Sequence, residues 1–265
     1  MSRNSLQILF FDTFGTVVEW RSCIIKALSA AAQQALADPN KKLPAEVRNR
    51  ASALTMHDWG CLAEEWRNSY TIFTSTFDLS QEFVLVDQHH YTALQDLLQL
   101  RGFGELFGDS ELWELALCWH RLDPWPDSVL GLELLNSRFA TSTLSNGNVS
   151  LLQDLVQHGA LPFSRIVSAE NFGAYKPSPR VYHGAANLLG REPSQCALVA
   201  AHLKDLQAAK ACGFQTIYVE RELEEAWSAE QIARAKAEGF VDIWVGIDSG
   251  GFVEVARQLG LNTSP

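Results

Sequence analysis

Cysteine is scarce in this chain and scattered. Cys23, Cys61, Cys118, Cys196 and Cys212 are odd in number, and none belongs to a CxxC pair. They suggest no disulfide framework and no zinc site, and a reducing compartment is the simplest setting. His57, His89, His90, His120, His158 and His183 show no metal-ligand spacing either. Positive charge is also in deficit: 21 Lys and Arg against 31 Asp and Glu leave a net charge of −10. Nucleic acid and anionic membranes call for a basic patch, so neither is an expected partner. A few cations inside a pocket can still serve a small anionic substrate. No GxGxxG and no GxxxxGK[ST] run occurs, which removes the dinucleotide and P-loop readings. No apolar run approaches the length of a membrane span. The first residues lack a basic segment followed by an apolar one, so no secretory signal is expected. The expectation is a cytoplasmic, soluble protein.

Against these absences one stretch stands out. Residues 6–18 read LQILFFDTFGTVV, an almost unbroken apolar run that ends on Asp12. Such a run, bounded by a turn signal, suits a strand buried on both faces of a parallel sheet. Gly15 lets the chain turn sharply just beyond it. An aspartate at such a place is commonly no more than a turn or cap residue, so the rest of the chain has to decide its role.

From residue 19 to 122 the pattern is helical. Helices are expected over 22–36, from 43–45 onward, over 61–73, 81–100 and 110–119, and Pro124 and Pro126 then mark a boundary. Beyond it helix and strand alternate. Strands are expected at 139–144, 166–168, 196–200, 215–219 and 243–245. Helices are expected at 129–135, 149–158, 180–189, 205–212, 228–237 and 252–259. Alternation of this kind indicates βαβ units. The predicted architecture is α/β, a doubly wound parallel sheet (residues 1–18 and 123–265) with an all-helical cap domain (19–122) inserted after the first strand.

Polar groups recur just past the expected strand ends: Asp12, Ser145 with Asn146, Lys176, and His202 with Asp205. Strand ends of one parallel sheet share an edge, and ligands bind beyond the carboxyl ends. Two carboxylates, a hydroxyl and an ammonium on one edge can form a nucleophile site.

The segments FFDTFGTVVEWR, TLSNGN, AYKPSPRVY and VAAHLKDLQAAKACGF, in this order and spacing, resemble the four motifs of the haloacid dehalogenase-like (HAD) hydrolase superfamily. The likeness is greatest to its type II 2-haloacid dehalogenase branch, which HRLDPWPD also resembles. The resemblance implies a Rossmann-like core and hydrolysis of carbon–halogen bonds in short 2-haloalkanoic acids. Asp12 matches the nucleophile that forms an aspartyl ester, and Thr16 the hydroxyl bracing its loop. Ser145 and Asn146 match groups that hold the substrate carboxylate. Lys176 matches the lysine that keeps the nucleophile ionised. Asp205 matches the acidic residue that positions that lysine and can help activate water, and Tyr182 aligns with a family tyrosine. Trp66-Arg67-Asn68-Ser69-Tyr70 resembles the cap motif whose arginine, here Arg67, receives the halide or the carboxylate. A surface arginine is the plainer alternative. Dimers formed through the cap are common in the similar enzymes; the apolar residues of this insertion can equally all be internal, so a homodimer stays open.

Phe14 separates branches. Phosphatases of the superfamily carry a second aspartate at this position and use magnesium. Phenylalanine cannot exchange protons, so the resemblance implies a metal-independent enzyme without cofactor. Ala200 and His202 stand where Ser and Asn are common in the fourth motif. His202 either lines the site, where imidazole can take a proton from water, or serves only at the strand end. Two other readings are a phosphatase with an atypical acid/base and a catalytically silent binding protein that keeps the fold.

Overall fold

The computed structural model describes residues 6–263. The apolar run becomes β1 (Ile8–Phe11), with all four residues buried. It is followed by β2 (Val18–Glu19). The helices of the insertion come next, α1 (Arg21–Ala37), α2 (Ala45–Ser52), α3 (Met56–Thr76), α4 (Val86–Leu100) and α5 (Asp109–Ala116). The chain then runs through β3 (Asp123–Pro124), α6 (Ser128–Asn136), β4 (Ala140–Thr143), α7 (Val149–His158), α8 (Pro179–Leu188), β5 (Cys196–Ala200) and α9 (Leu203–Ala211). It closes with β6 (Gln215–Val219), α10 (Ala229–Glu238), β7 (Ile243–Val245) and α11 (Gly251–Gln258). Two compact units result. One holds the chain up to Glu19 together with Asp123 onward, and the other is Trp20–Leu122.

In the first unit five parallel strands lie in the order β4-β1-β5-β6-β7. The chain starts in β1, moves outward to β4, then crosses back to β5 and continues the other way. Right-handed crossovers therefore place helices on both faces of the sheet, with α6 packed on α11 and α8 on α9. This is the expected doubly wound sheet. The strand expected at 166–168 is absent. Only isolated bridges link Ser142 to Arg165 and Ser145 to Ser168. Three residues bounded by polar groups, with Ser168 turned to cap the 3₁₀ turn Ala169–Phe172, cannot sustain a ladder. The chain reverses direction between β1 and β5, and such a switch point is where open α/β sheets bind ligands.

β2 and β3 pair antiparallel, Val18 with Pro124 and Glu19 with Asp123. The loop after β1 is tied down from several sides. The Trp125 indole donates to Gly15 O (3.0 Å) and the Ser128 hydroxyl to Val17 O (2.7 Å). Arg221 Nε donates to Thr16 O (3.1 Å) while its guanidinium grips both oxygens of Asp127 (2.6 and 2.9 Å). Gly15 sits at φ +78°, and a Cβ there would collide with the Glu224 carboxylate. Gly15→Ala is expected to cost about 1–3 kcal/mol, read as a lowered denaturant midpoint with an unchanged slope.

The helical unit has its own core. Thr55 and Asp58 form a capping box that starts α3. Trp66 and Trp119 meet edge to face at 5.4 Å, and Trp20 stacks on Trp119 at 5.9 Å. His90 is fully buried against Trp119, and burial holds its pKa well below the ordinary value. It is a neutral core group. No helix among the described residues is long and apolar enough to cross a membrane.

Candidate active site

Asp12 is the first residue past β1, and its N–H still follows the sheet, donating to Val199 O at 3.0 Å. The chain then turns. The Thr13 carbonyl accepts from the N–H groups of Thr16, Val17 and Val18, which leaves the Asp12 side chain pointing out of the sheet edge. Thr16 Oγ donates to Asp12 Oδ2 (2.8 Å) and accepts from Ala201 N–H (2.9 Å). One hydroxyl thus links the loop after β1 to the end of β5.

The loop before α8 brings Lys176 in from the other side. Its ammonium is buried and donates to Asp12 Oδ1 (2.8 Å) and Asp205 Oδ2 (2.5 Å). The Tyr182 hydroxyl, one turn into α8, donates to the other Asp205 oxygen at 2.6 Å. Asn146 holds the Lys176 backbone at both ends: its Oδ1 accepts from Lys176 N–H (2.7 Å) and its Nδ2 donates to Lys176 O (3.4 Å). Ser145 is fully buried, and its Oγ accepts from Gly147 N–H at 3.2 Å. Phe14 is buried, its ring edge close over Gly147.

His202 stands at the N-terminus of α9, and its Nδ1 lies 2.9 Å from Asp12 Oδ2. Its Nε2 lies 3.4 Å from a carboxylate the sequence did not bring forward, Glu224. Glu224 belongs to the loop 220–227 that follows β6. Its neighbour Glu225 accepts from Leu203 N–H (2.8 Å), the first helical N–H of α9. The motif reading stops at β5, yet β6 ends on the same sheet edge. The acidic run ERELEE after it was the available signal. Ala200, the last residue of β5, is fully buried and offers no side-chain donor.

Arg67 lies on α3 in the helical unit, with its guanidinium over the rings of Tyr70 (4.6 Å) and Trp20 (5.8 Å). Those aromatic faces supply cation–π support that holds it in place. Among the described residues no group of His, Cys, Asp and Glu side chains has the arrangement of a metal site.

The electrostatics follow from this geometry. Burial alone would raise the Asp12 carboxyl, but Lys176 and His202 outweigh it and hold it well below the ordinary carboxylate range. Burial would strip Lys176 of its proton, and the charges of Asp12 and Asp205 reverse that, so it stays an ammonium. Burial would likewise neutralise His202, yet its hydrogen bonds to Asp12 and Glu224 push it up to about 10. At neutral pH it is an imidazolium. Burial and then Asp205 drive the Tyr182 phenol well upward, which keeps it a donor. The site is a strip in which three carboxylates alternate with two cations: Asp205, Lys176, Asp12, His202, Glu224.

A parallel sheet in this order, with carboxylates and a lysine converging at its switch point, defines a Rossmann-like hydrolase core. The family model for haloacid dehalogenase-like hydrolases matches residues 6–213. The chain belongs to that family. It is similar to an (S)-2-haloacid dehalogenase of Pseudomonas sp. (strain CBS-3), 32% identical over 180 residues that span 65% of this chain and 78% of the relative. It is also similar to (S)-2-haloacid dehalogenase 4A of Burkholderia cepacia, 27% identical over 222 residues, 83% of this chain and 85% of the relative. Among solved structures, a defluorinating L-2-haloacid dehalogenase matches with a TM-score of 0.76 at 31% identity, covering 96% of this chain and 95% of that one.

Proposed function

We propose that this protein is a hydrolytic dehalogenase that displaces halide from short 2-haloalkanoic acids and yields 2-hydroxy acids. The observation that carries the reading is the state of Asp12: a buried carboxylate, kept ionised by Lys176 and braced by Thr16, with phenylalanine rather than a second carboxylate two residues on. An ionised carboxylate held in one orientation is a nucleophile for an alkyl halide. Attack of an Asp12 oxygen on the α-carbon forms a C–O bond as the C–X bond breaks. The halide leaves with the bonding electrons, and the α-carbon inverts. Water then adds to the Asp12 carbonyl carbon, and the 2-hydroxy acid leaves with its stereochemistry unchanged. The relatives named above are (S)-2-haloacid dehalogenases, and the same hand of substrate is taken here.

Arg67 receives the departing halide or the substrate carboxylate, where a fixed cation stabilises developing charge. The Ser145 hydroxyl, whose oxygen already accepts from Gly147, still has its proton to give to the substrate carboxylate. Asn146 contributes through its grip on the Lys176 backbone. The reaction is metal-independent. A divalent ion at Asp12 would sit beside the Lys176 ammonium and the His202 imidazolium, and would withdraw charge from the nucleophile.

The test is a single turnover in heavy-oxygen water with chelator-treated enzyme, followed by mass analysis of the peptide that contains Asp12. Label is expected in Asp12 and, after the first turnover, in the hydroxy acid. Label that enters the product directly and never Asp12 rules out the ester, and halide release lost on chelation rules out the metal-free route.

A further inference from the structure

Hydrolysis of the aspartyl ester needs a group to take a proton from water, and the two candidates are Asp205 and His202. Asp205 accepts from both Lys176 and Tyr182. His202 is nearest to Asp12, but in the free enzyme it is flanked by carboxylates on both ring nitrogens and already carries its second proton. The two carboxylates differ in one respect. Asp12 loses its charge when it is esterified; Glu224 does not.

We propose that Glu224 is a positioning residue that makes His202 a two-state group: an imidazolium held against Asp12 while that carboxylate is free, and a base toward the hydrolytic water once Asp12 is an ester. This rests on the ester reading given above. Nδ1 faces Asp12 at 2.9 Å and Nε2 faces Glu224 at 3.4 Å. When Asp12 becomes neutral, Nδ1 loses its anionic partner and Nε2 keeps its own. The proton that leaves is therefore the one on Nδ1. The Nε2–H that remains fixes the tautomer and aims the free lone pair at the ester carbonyl, where water must attack.

The placement of Glu224 is built into the fold. Its side chain is only 5% exposed, and it fills the space that a side chain at position 15 would take. Glu225, next in sequence, is hydrogen-bonded to Leu203 N–H, so the loop is latched to the residue after His202. Among the described residues, the charged groups paired with His202 are Asp12 from the loop after β1 and Glu224 from the loop after β6. Lys176 bears on it only through the far oxygen of Asp12, and Asp205 lies beyond Lys176.

The proton balance gives the proposal its signature. Overall, R–X and water yield R–OH, X⁻ and one proton. In the first step Asp12 takes the alkyl group, halide leaves, and the Nδ1 proton goes to solvent. In the second, one water proton goes to Nδ1 and the other to the departing alkoxide, and Asp12 returns as the carboxylate. The single net proton therefore appears with the halide and not with the hydroxy acid.

The experiment follows a pre-steady-state turnover of wild-type enzyme with 2-chloropropionate in weak buffer near pH 8, reading halide, a pH indicator and intact mass together. One proton is expected in the halide phase. A proton that instead appears with the hydroxy acid overturns the proposal while leaving the ester mechanism standing; absence of any ester mass in every variant overturns the ester reading itself. Glu224→Gln keeps the shape but not the charge. It is expected to leave the halide burst within about threefold and to slow ester hydrolysis by roughly 10–100-fold, so that the ester-bound mass accumulates. His202→Gln, which can still donate to Asp12, is expected to trap the ester more completely. Equal slowing of both phases in these variants marks a merely structural role and also overturns the proposal.

Discussion

Asp12→Asn is expected to cut halide release by roughly 10⁴–10⁶-fold, the scale seen when a covalent nucleophile is removed. The amide has nearly the shape of the carboxylate and can keep the Thr16 hydrogen bond, so the loss does not come from a collapsed loop. It comes from charge: a neutral amide oxygen is a poor nucleophile toward an sp³ carbon. The neighbours report the same change. Lys176 still has Asp205 as its counter-ion, so it stays an ammonium. His202 keeps only Glu224, and its pKa is expected to fall from about 10 toward the ordinary imidazole range. The checks are chloride release from 2-chloropropionate and titration of the His202 ring by NMR. Activity within tenfold of wild type would remove Asp12 from the role of nucleophile. An unmoved His202 would mean that Asp12 does not govern its charge.

The elements most legible in the sequence are those with a single strong cause. Residues 196–200, 215–219 and 243–245 are short apolar runs between turn signals, and each is a strand with those bounds. The helix 149–158 likewise keeps its limits, because its apolar residues fall on one face and Gly159 follows it. The run 166–168 has the same apolar look but forms no ladder: Ser164 and Arg165 bond to Thr141 at the edge of β4, and the Val167 N–H is taken by the Thr143 hydroxyl rather than by a strand carbonyl. For the site, Asp12, His202 and Asp205 do lie past strand ends, whereas Lys176 arrives from a loop whose expected strand, 166–168, is absent; Asp12, Lys176, Tyr182, Asp205 and His202 are within hydrogen-bonding reach of one another as a chain. Glu224 was not legible. In sequence it belongs to an acidic run that reads as a solvated surface. Its place depends on β6 lying beside β5, on the loop 220–227 folding back, and on the missing side chain at Gly15. None of these is a local property. The charge of His202 was illegible for the same reason, since two carboxylates from different loops set it.

Lys176→Met is expected to have the second large effect, and to act on both stability and chemistry. In the wild type the buried ammonium separates Asp12 from Asp205, at 2.8 and 2.5 Å. A methionine of similar length leaves two buried carboxylates facing an apolar chain with no cation between them. Removing one partner of a buried ion pair commonly costs about 3–5 kcal/mol, and a comparable loss is expected in denaturant unfolding near pH 7. The pH dependence has a definite sign. A depressed carboxylate pKa contributes stability above its unfolded value, and that stability is lost as pH falls through the folded value. In the wild type the Asp12 contribution therefore persists to pH well below 4, because its carboxyl is held below the ordinary range. In Lys176→Met the carboxyl rises, burial now opposed by His202 and the Thr16 hydrogen bond without the Lys176 charge, and the acid limb of kcat/KM moves toward neutral pH. Turnover at pH 7 is expected to fall by about 10³-fold, since the nucleophile loses both its charge support and its orientation. The double variant Lys176→Met, Asp205→Asn separates the two effects. It removes the repulsion between the carboxylates, so much of the lost stability should return, with a coupling of about 1–3 kcal/mol between the sites. Activity should not return, because Asp12 still lacks its cation. Recovery of turnover along with stability would show that Lys176 serves the fold rather than the nucleophile.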